Sequence, residues 1–600
     1  MIISNRVGGG CFWLRISTLA TLLILLTTSS TLASADDLDG SVLMQAMADE
    51  LNRNMTSLQI EHQLKPYYIS YRATDEEVVF VKAEFGGLVS NQRHRNRDLY
   101  VDLRVGDYSL DNSNFICQTS GSSYIESDRT NLPLEDNYDA IRNSIWLVTD
   151  GTYKKALETF SRKKAVIENQ PRKDEVPDFS RPAVCREVEQ PETIDIDQAS
   201  WVEKIVQLSG IFKKFPKIYE SNVTLRTNTN NQYFLDTEGN RNRRADIKTC
   251  TEIFAKARSE DGDPIEDYIS FCNSGPDDLS DIAIMTKAIE AMAETLSLQT
   301  TLEKEEGYSG PVLLTGQAAA ELFFQVLGKG SSDPRKPLFE NEVLAKTAKS
   351  DLGDLVGRIG RKVMPDFLSA YDDPNLTEWG KTSLFGHFSI DDQGVQAQRV
   401  ELIKDGKMTG LLMGRSPTKK FADTNGHGRF RNETYGFRVY GMPGVLVIES
   451  KESNTMDELK SRLINICKDY GNSYGLIITR LAATRPRDAA ERYMQYYASA
   501  TGAGKPILSS PSVAYKVDVE TGKVELIRGL DFSSITLRIL RDIVAVNQDK
   551  YVYNFMYRDD NGNEYPMSVM APSVLIEEVD MATTETKTTK APVLRHPYFK

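Results

Sequence analysis

An α+β fold in two lobes, antiparallel-sheet-rich with flanking helices, is the architecture this sequence predicts. Three observations carry it: strand-like runs are joined by hairpin turn signals, amphipathic helices flank them, and a polar stretch near residue 305 separates two such groups. The chain has 600 residues, too many for one core. Hydrophobic residues are 40%, charged residues 26% and aromatics 9%, an ordinary globular composition that excludes wholesale disorder, collagen and a multispan membrane protein. Lys plus Arg total 72 against 85 Asp plus Glu, a net charge of −13. An acidic excess argues against binding a phosphate backbone, which needs clustered cations. No period of 20–50 residues is visible, which excludes a solenoid.

The first element is a targeting segment. Arg6 and Arg15 precede the apolar run Ile16 to Leu26, and Ala33-Ser34-Ala35 offers a small-residue cleavage site. That pattern reads as a secretory signal over residues 1–35, too short an apolar run to span a ~30 Å hydrocarbon layer, and it predicts an exported protein, periplasmic or secreted. Removal takes two arginines and no acids, leaving −15. Export also leaves Cys117, Cys185, Cys250, Cys272 and Cys467, an odd number. Cys250 and Cys272 lie on strand-like runs joined through Asp261-Gly262, so a disulfide across that hairpin is expected. There is no C-x-x-C pair and hence no zinc ribbon or thioredoxin motif.

The N-terminal domain is placed at 36–305. Val42 to Leu51 has helical spacing, and strand-like runs follow at Tyr67 to Tyr71, Val78 to Val81 and Leu99 to Leu103. Pro171, Pro177, Pro182 and Pro191 fall among charges at 169–195, a pattern of a linker or a surface excursion. Alternation resumes from about 220 through Phe271. Ile282, Met285, Ile289, Met292 and Leu296 then share one helical face.

The C-terminal domain is placed at 306–581, with an extended tail at 582–600. It opens with Pro311-Val-Leu-Leu314, a buried-strand pattern, and a helix from Gln317 to Leu327. A meander is expected from Leu384 to Ile390, Val395 to Ile403 and Met408 to Met413, turning at Asp392-Gln-Gly394 and Asp405-Gly406. Hairpins follow at Val517 to Ile527 and Tyr551 to Met567.

Several motif matches fail on context. Gly471-Asn-Ser473-Tyr-Gly475 fits a nucleophile elbow, but a helix precedes it and a strand follows, the reverse of what the elbow needs. Gly502-Ala-Gly504-Lys505-Pro506 is followed by proline where a phosphate loop needs a hydroxyl. The S-x-x-K runs at Ser161 and Ser416 lack their companion motifs, and Asp559-Asp-Asn-Gly562 lacks calcium-loop spacing.

An ordered series of segments remains: Pro311 to Leu314, the helix Ala318 to Leu327, Gly328-Lys-Gly330, Gly357-Arg-Ile-Gly-Arg-Lys-Val363 and Tyr371-Asp-Asp-Pro374. Ile390-Asp-Asp-Gln-Gly394, Leu402-Ile-Lys-Asp-Gly406, Asn425-Gly-His-Gly-Arg429, the closing hairpins and Ala571-Pro-Ser-Val-Leu-Ile576 complete it, with Asp236-Thr-Glu-Gly239 in the N-terminal half. In this order they resemble the TldD/PmbA family, peptidase family U62, also called modulators of DNA gyrase.

In the peptidase subunit of that family a helix carries H-E-x-x-x-H, two zinc-binding histidines and a glutamate base. The resemblance puts Phe324, Gln325 and Lys329 at those positions. Phenylalanine has no lone pair, an amide cannot accept a proton from zinc-bound water, and a lysine cation repels Zn²⁺. The family's later cysteine ligand has no counterpart, because Cys467 falls on a helical run. Asp391-Asp392-Gln393-Gly394 has glutamine where the family tends to have glutamate.

The mature chain's histidines are His62, His94, His387, His427 and His596. A metal site rebuilt from His387, His427 and an aspartate is one possibility. His427 and Arg429, on a glycine-rich turn, are alternatively cleft residues that bind peptide backbone or a carboxylate, with Lys329 as a further substrate contact. The resemblance therefore implies a metal-less, non-catalytic subunit with no cofactor. It would bind extended polypeptide as a homodimer or as a heterodimer with a zinc-bearing TldD-like paralogue, completing that partner's cavity in proteolysis. The alternatives are an active metallopeptidase with a relocated zinc site and a stand-alone peptide-binding module.

Overall fold

The structure, a computed structural model, describes residues 40–117, 128–169, 175–276, 279, 281–347, 355–433, 436–482, 507–533, 535–559 and 561–585. The expected signal segment, the Gly502 to Lys505 stretch and the tail beyond 585 lie outside the described residues. No described helix is long and apolar enough to cross a membrane.

Two sheets organise the chain. The first draws on β1 (Pro66–Glu84), β2 (Gly87–Val105), β3 (Arg129–Asn131), β4 (Ile218–Asp236), β5 (Arg241–Arg258) and β6 (Pro264–Asn273), in the antiparallel order β3-β2-β1-β4-β5-β6. Its outer face is covered in two patches. Helices α1 (Val42–Ser57) and α2 (Tyr138–Asn169) bury Met44, Met47 and Ile145 against Ile69, Tyr71 and Val101. Helices α3 (Gln198–Gly210) and α4 (Ile282–Gln299) bury Ile205, Met285 and Ile289 against Val79, Leu225 and Ile253. Ser41 caps α1 and Asp281 caps α4 through their side chains, which satisfies free N–H groups at each start.

The second sheet is mixed. Its central strand β7 (Tyr308–Leu314) continues into α5 (Gln317–Leu322), and the helix then widens into a π-helical stretch over Phe323–Gly328. Further strands are β8 (Leu368–Asp372), β9 (Val400–Lys404), β10 (Lys407–Met408), β11 (Val445–Ser450), β12 (Tyr474–Leu481), β13 (Pro511–Asp518), β14 (Val524–Ile527), β15 (Leu530–Phe532), β16 (Ile543–Arg558) and β17 (Glu564–Thr583). The order is β10-β9-β8-β11-β17-β7-β12-β13-β14, with β15 and β16 also paired to β17. Helix α6 (Met456–Tyr470) begins with a capping box between Thr455 and Glu458 and packs Leu459, Leu463 and Cys467 on this sheet.

The disulfide expected across the hairpin is present: Cys250 on β5 and Cys272 on β6 are paired residues and are bonded. The expected meander is only half there. The Asp405-Gly406 turn joins β9 to β10, but residues 384–390 form no strand. Gly386 lies so close to the Gly444 carbonyl that a Cβ would sit 1.9 Å from its oxygen. Asp391 meanwhile accepts from the Gln393, Val395 and Gly428 backbone N–H groups, so side chains organise this segment as turns. The Pro-rich excursion lacks regular structure as expected, yet Asp178, Phe179 and Ser180 are buried. Arg415 of the C-terminal lobe reaches across to Phe179 and Ser180, while Lys163 and Arg335 pair with Asp178.

Candidate functional site

The helix after β7 is the first place to look for chemistry, and its critical side chains are consumed by packing. Phe324 lies edge-on to Phe555 and Tyr557, with ring centroids 4.9 and 5.0 Å away. Gln325 Nε2 donates to Glu321 at 2.7 Å, while its Oε1 accepts from the Ser509 N–H at 2.8 Å and hydroxyl at 3.0 Å. Lys329 Nζ sits over the rings of Tyr557 and Phe324 at 4.9 and 5.5 Å. Burial pushes the Glu321 carboxyl up, opposed by Gln325 and Lys329. Glu321 and Ser509 were not singled out from the sequence. A carboxyl one helical turn before Gln325 is the signal that could have found the first of them.

This donor set does not fit a zinc ion. An aromatic ring, a carboxamide with both ends engaged and an ammonium offer no basic lone pair. Among the described residues, no group of three or more His, Cys, Asp or Glu side chains stands together as a metal would require.

The histidine expectation divides. His427 is fully buried, with Nε2 3.0 Å from Asp372 Oδ2 and Nδ1 3.0 Å from the Asn425 carbonyl. Asp372 also accepts from the Gly444 N–H at 3.0 Å, so His427 braces the 424–428 turn against the end of β8. It does not line the cleft. Both ring nitrogens are engaged by oxygen partners within the fold, and among the described residues His387 does not stand with it in a metal-type cluster, which argues against the rebuilt site. His387 is half-buried and its Nδ1 lies 2.7 Å from the Pro374 carbonyl, so that nitrogen donates and Nε2 carries the lone pair. Burial, and then Lys248, lower its pKa. Arg429 does line the cleft, stacked over Phe388 at 4.7 Å with Nε 3.4 Å from Asp392 Oδ2. Lys329 does not; its cation rests on the motif helix's own aromatic neighbours.

That cleft is a cavity of about 270 Å³ between the lobes. One wall is the inner face of the first sheet, where Arg72, Thr74 and Glu76 of β1 stand beside Asn228 and Gln232 of β4 and Arg244, Asp246 and Lys248 of β5. The opposite wall is Gly386 to Phe388, Asp392, Arg429, Phe430 and Glu564 to Pro566. The period-two run of polar side chains on three strands makes this wall, since alternate residues of a strand share a face. Burial pushes Asp392 up, but Arg429, Arg72 and Arg244 outweigh it and hold the carboxyl at about 2. Arg244 also donates to the Ile390 carbonyl at 2.5 Å, so charge and hydrogen bonding join the lobes at this cavity.

Residues 308–501 match the family model of the PmbA/TldA metallopeptidase C-terminal domain. A metalloprotease of Archaeoglobus fulgidus is 26% identical over 226 residues, which is 37% of this chain and 44% of that relative. The chain thus aligns with less than half of that relative's length. A DNA-gyrase-modulator-type protein of Thermotoga maritima shares the fold at a TM-score of 0.53 and 15% identity, covering 86% of this chain and 96% of that one. TldE of Thermococcus kodakarensis does so at a TM-score of 0.53 and 12% identity, covering 86% and 97%. The α+β architecture, the ordered segments of the C-terminal lobe and these matches together identify residues 308–501 as a domain of the PmbA/TldD metallopeptidase C-terminal type, in a chain that shares the fold of these solved structures.

Proposed function

We propose that this protein is an exported, metal-less member of the TldD/PmbA family that holds extended polypeptide and completes the cavity of a zinc-bearing paralogue, contributing no catalytic group of its own. The observation that carries this reading is the occupancy of the motif helix: Phe324, Gln325 and Lys329 are each held by partners in the chain's own core. General-base catalysis on a metal-bound water needs a basic oxygen within reach of that water, and these three side chains supply none. The polar cavity between the lobes supports the polypeptide half of the reading. It is lined by amides, carboxylates and guanidinium groups that hydrogen-bond an extended backbone.

The test is a reconstitution. The mature chain is assayed for zinc content and for hydrolysis of an unfolded polypeptide, alone and with a paralogue carrying H-E-x-x-x-H. Alone it should hold less than stoichiometric zinc and leave the polypeptide intact; with the paralogue the two should co-elute and cleave. Chelator-sensitive hydrolysis by the chain alone would overturn the proposal.

A further inference from the structure

The charges around the interlobe cavity do not balance. Arg226 is compensated by Glu564 at 2.5 Å and Glu76 at 3.9 Å. The four other cations, Arg72, Arg244, Lys248 and Arg429, share only Asp246 and Asp392. Arg244 and Arg429 each approach Asp392 at 3.4 Å, while Arg244 and Lys248 approach Asp246 at 3.6 and 3.7 Å. Arg72 has no carboxylate within 4 Å among the described residues; its guanidinium lies over the Phe430 ring at 4.1 Å. Stacking on a ring occupies the flat face of a guanidinium and leaves its in-plane N–H fork open, the edge that grips an oxyanion in bidentate fashion. The Lys248 side chain is 6% exposed, and its nearest acidic oxygen, Asp246 Oδ1 at 3.7 Å, belongs to a carboxylate whose other oxygen faces Arg244.

From this geometry we infer that the interlobe cavity is a carboxylate-binding site that takes an acidic segment of a polypeptide, with Arg72 and Lys248 as the residues that grip it. The inference rests on the reading above that the cavity holds polypeptide, and it names the chemistry selected there. A volume of about 270 Å³ falls just below the roughly 300–1,000 Å³ usual for ligand sites, which suits an acidic side chain or chain end rather than a folded partner. Burial, together with the repulsion of Arg244 and Arg429, lowers the pKa of Lys248, and burial lowers that of Arg72. Both shifts are those of cations short of counter-charge, which an incoming carboxylate supplies. His387, with Nδ1 committed to Pro374, offers Nε2 as an acceptor to a peptide N–H beside that carboxylate.

The experiment is calorimetric titration of the full mature chain with acetyl-Ala-Ala-Glu-Glu as the free acid, with its Gln-Gln amide counterpart and with inorganic phosphate. The acidic peptide should bind about tenfold or more tighter than the neutral one, the difference expected for charged hydrogen bonds, and salt should erode that margin. Arg72→Gln and Lys248→Met should each remove most of the margin between the acidic and the neutral peptide. The salt dependence is read on the unmutated protein, so the test survives a variant that fails to fold. Equal affinity for the acidic and neutral peptides would overturn this inference while leaving polypeptide binding intact. Binding of neither peptide would overturn both readings. Phosphate binding tighter than the acidic peptide would replace the carboxylate with a phosphoryl ligand and overturn the assignment.

Discussion

At the scale of single residues, the outcome turns on what each side chain is already doing. Gln325, at the position where the resemblance implies a glutamate base, spans Glu321 and Ser509 as donor to one and acceptor from the other. Gln325→Glu should not create a base. It removes the donor to Glu321 and sets two buried carboxyls side by side, at a cost of about 3 kcal/mol or more, readable as a lower denaturant midpoint. A second prediction concerns Asp392, held at about 2 despite burial. Its folded pKa lies below the unfolded value near 4, so its contribution is complete above about pH 4 and is lost as pH falls toward 2. It amounts to about 2 kcal/mol. Asp391, pushed up to about 6 by burial, acts with the opposite sign, so its contribution is lost as pH rises through 6. In thermal melts of the wild type and Asp392→Asn followed across pH, the gap between them should close between pH 4 and 2. The chemical unfitness of Phe324 and Lys329 for a metal was legible in the sequence, because it depends only on functional groups. The burial of His427 was not, because it depends on Asp372, 55 residues away.

At the scale of elements, hydrophobic pattern located the cores and misjudged the lengths. Tyr67 to Tyr71 and Val78 to Val81 read as separate runs but are one strand, Pro66–Glu84. The charged stretch between them continues the ladder, with Arg72 and Glu76 facing the cavity and Asp75 buried against Arg95 and Arg97 on the neighbouring strand. Alternation of apolar residues cannot reveal a strand whose inward face is polar. The same blindness hid the cavity wall on β4 and β5. Hairpin chemistry was legible, and it carries a prediction: the bond between Cys250 and Cys272 closes a loop of 22 residues in sequence. Replacing both cysteines by alanine should lower unfolding free energy by about 3 kcal/mol, mainly by releasing the unfolded chain. Chemical denaturation of the oxidised protein against the double variant measures it.

At the scale of the whole molecule, a buried cation couples the two lobes. Arg415 comes from the C-terminal lobe and has no exposed surface. Its Nη2 donates to Glu238 at 2.8 Å and to the Ser180 carbonyl at 2.7 Å, and its Nη1 donates to Tyr68 at 3.1 Å. Phe179 stacks on the guanidinium at 3.8 Å, and Asp236 lies 3.7 Å away. All of these partners belong to the first lobe or its Pro-rich excursion, so this side chain ties the lobes together alongside the Arg244 and Arg226 contacts at the cavity. Arg415→Met keeps much of the volume but strands Glu238 and Asp236 as buried charges without a cation. The expected cost is about 3–5 kcal/mol. Arg415→Lys should recover little, because an ammonium has three donors on a point charge and cannot reproduce the planar fork and its ring stacking. Because both variants lose the guanidinium that donates to the Ser180 carbonyl through two nitrogens, the Pro-rich excursion should be cut faster by protease than in the wild type. If Arg415→Lys instead matched the wild type in denaturant midpoint and proteolysis rate, the lobes would be held by their other ion pairs, such as Arg480 to Asp267 at 2.6 Å and Arg558 to Glu252 at 2.7 Å.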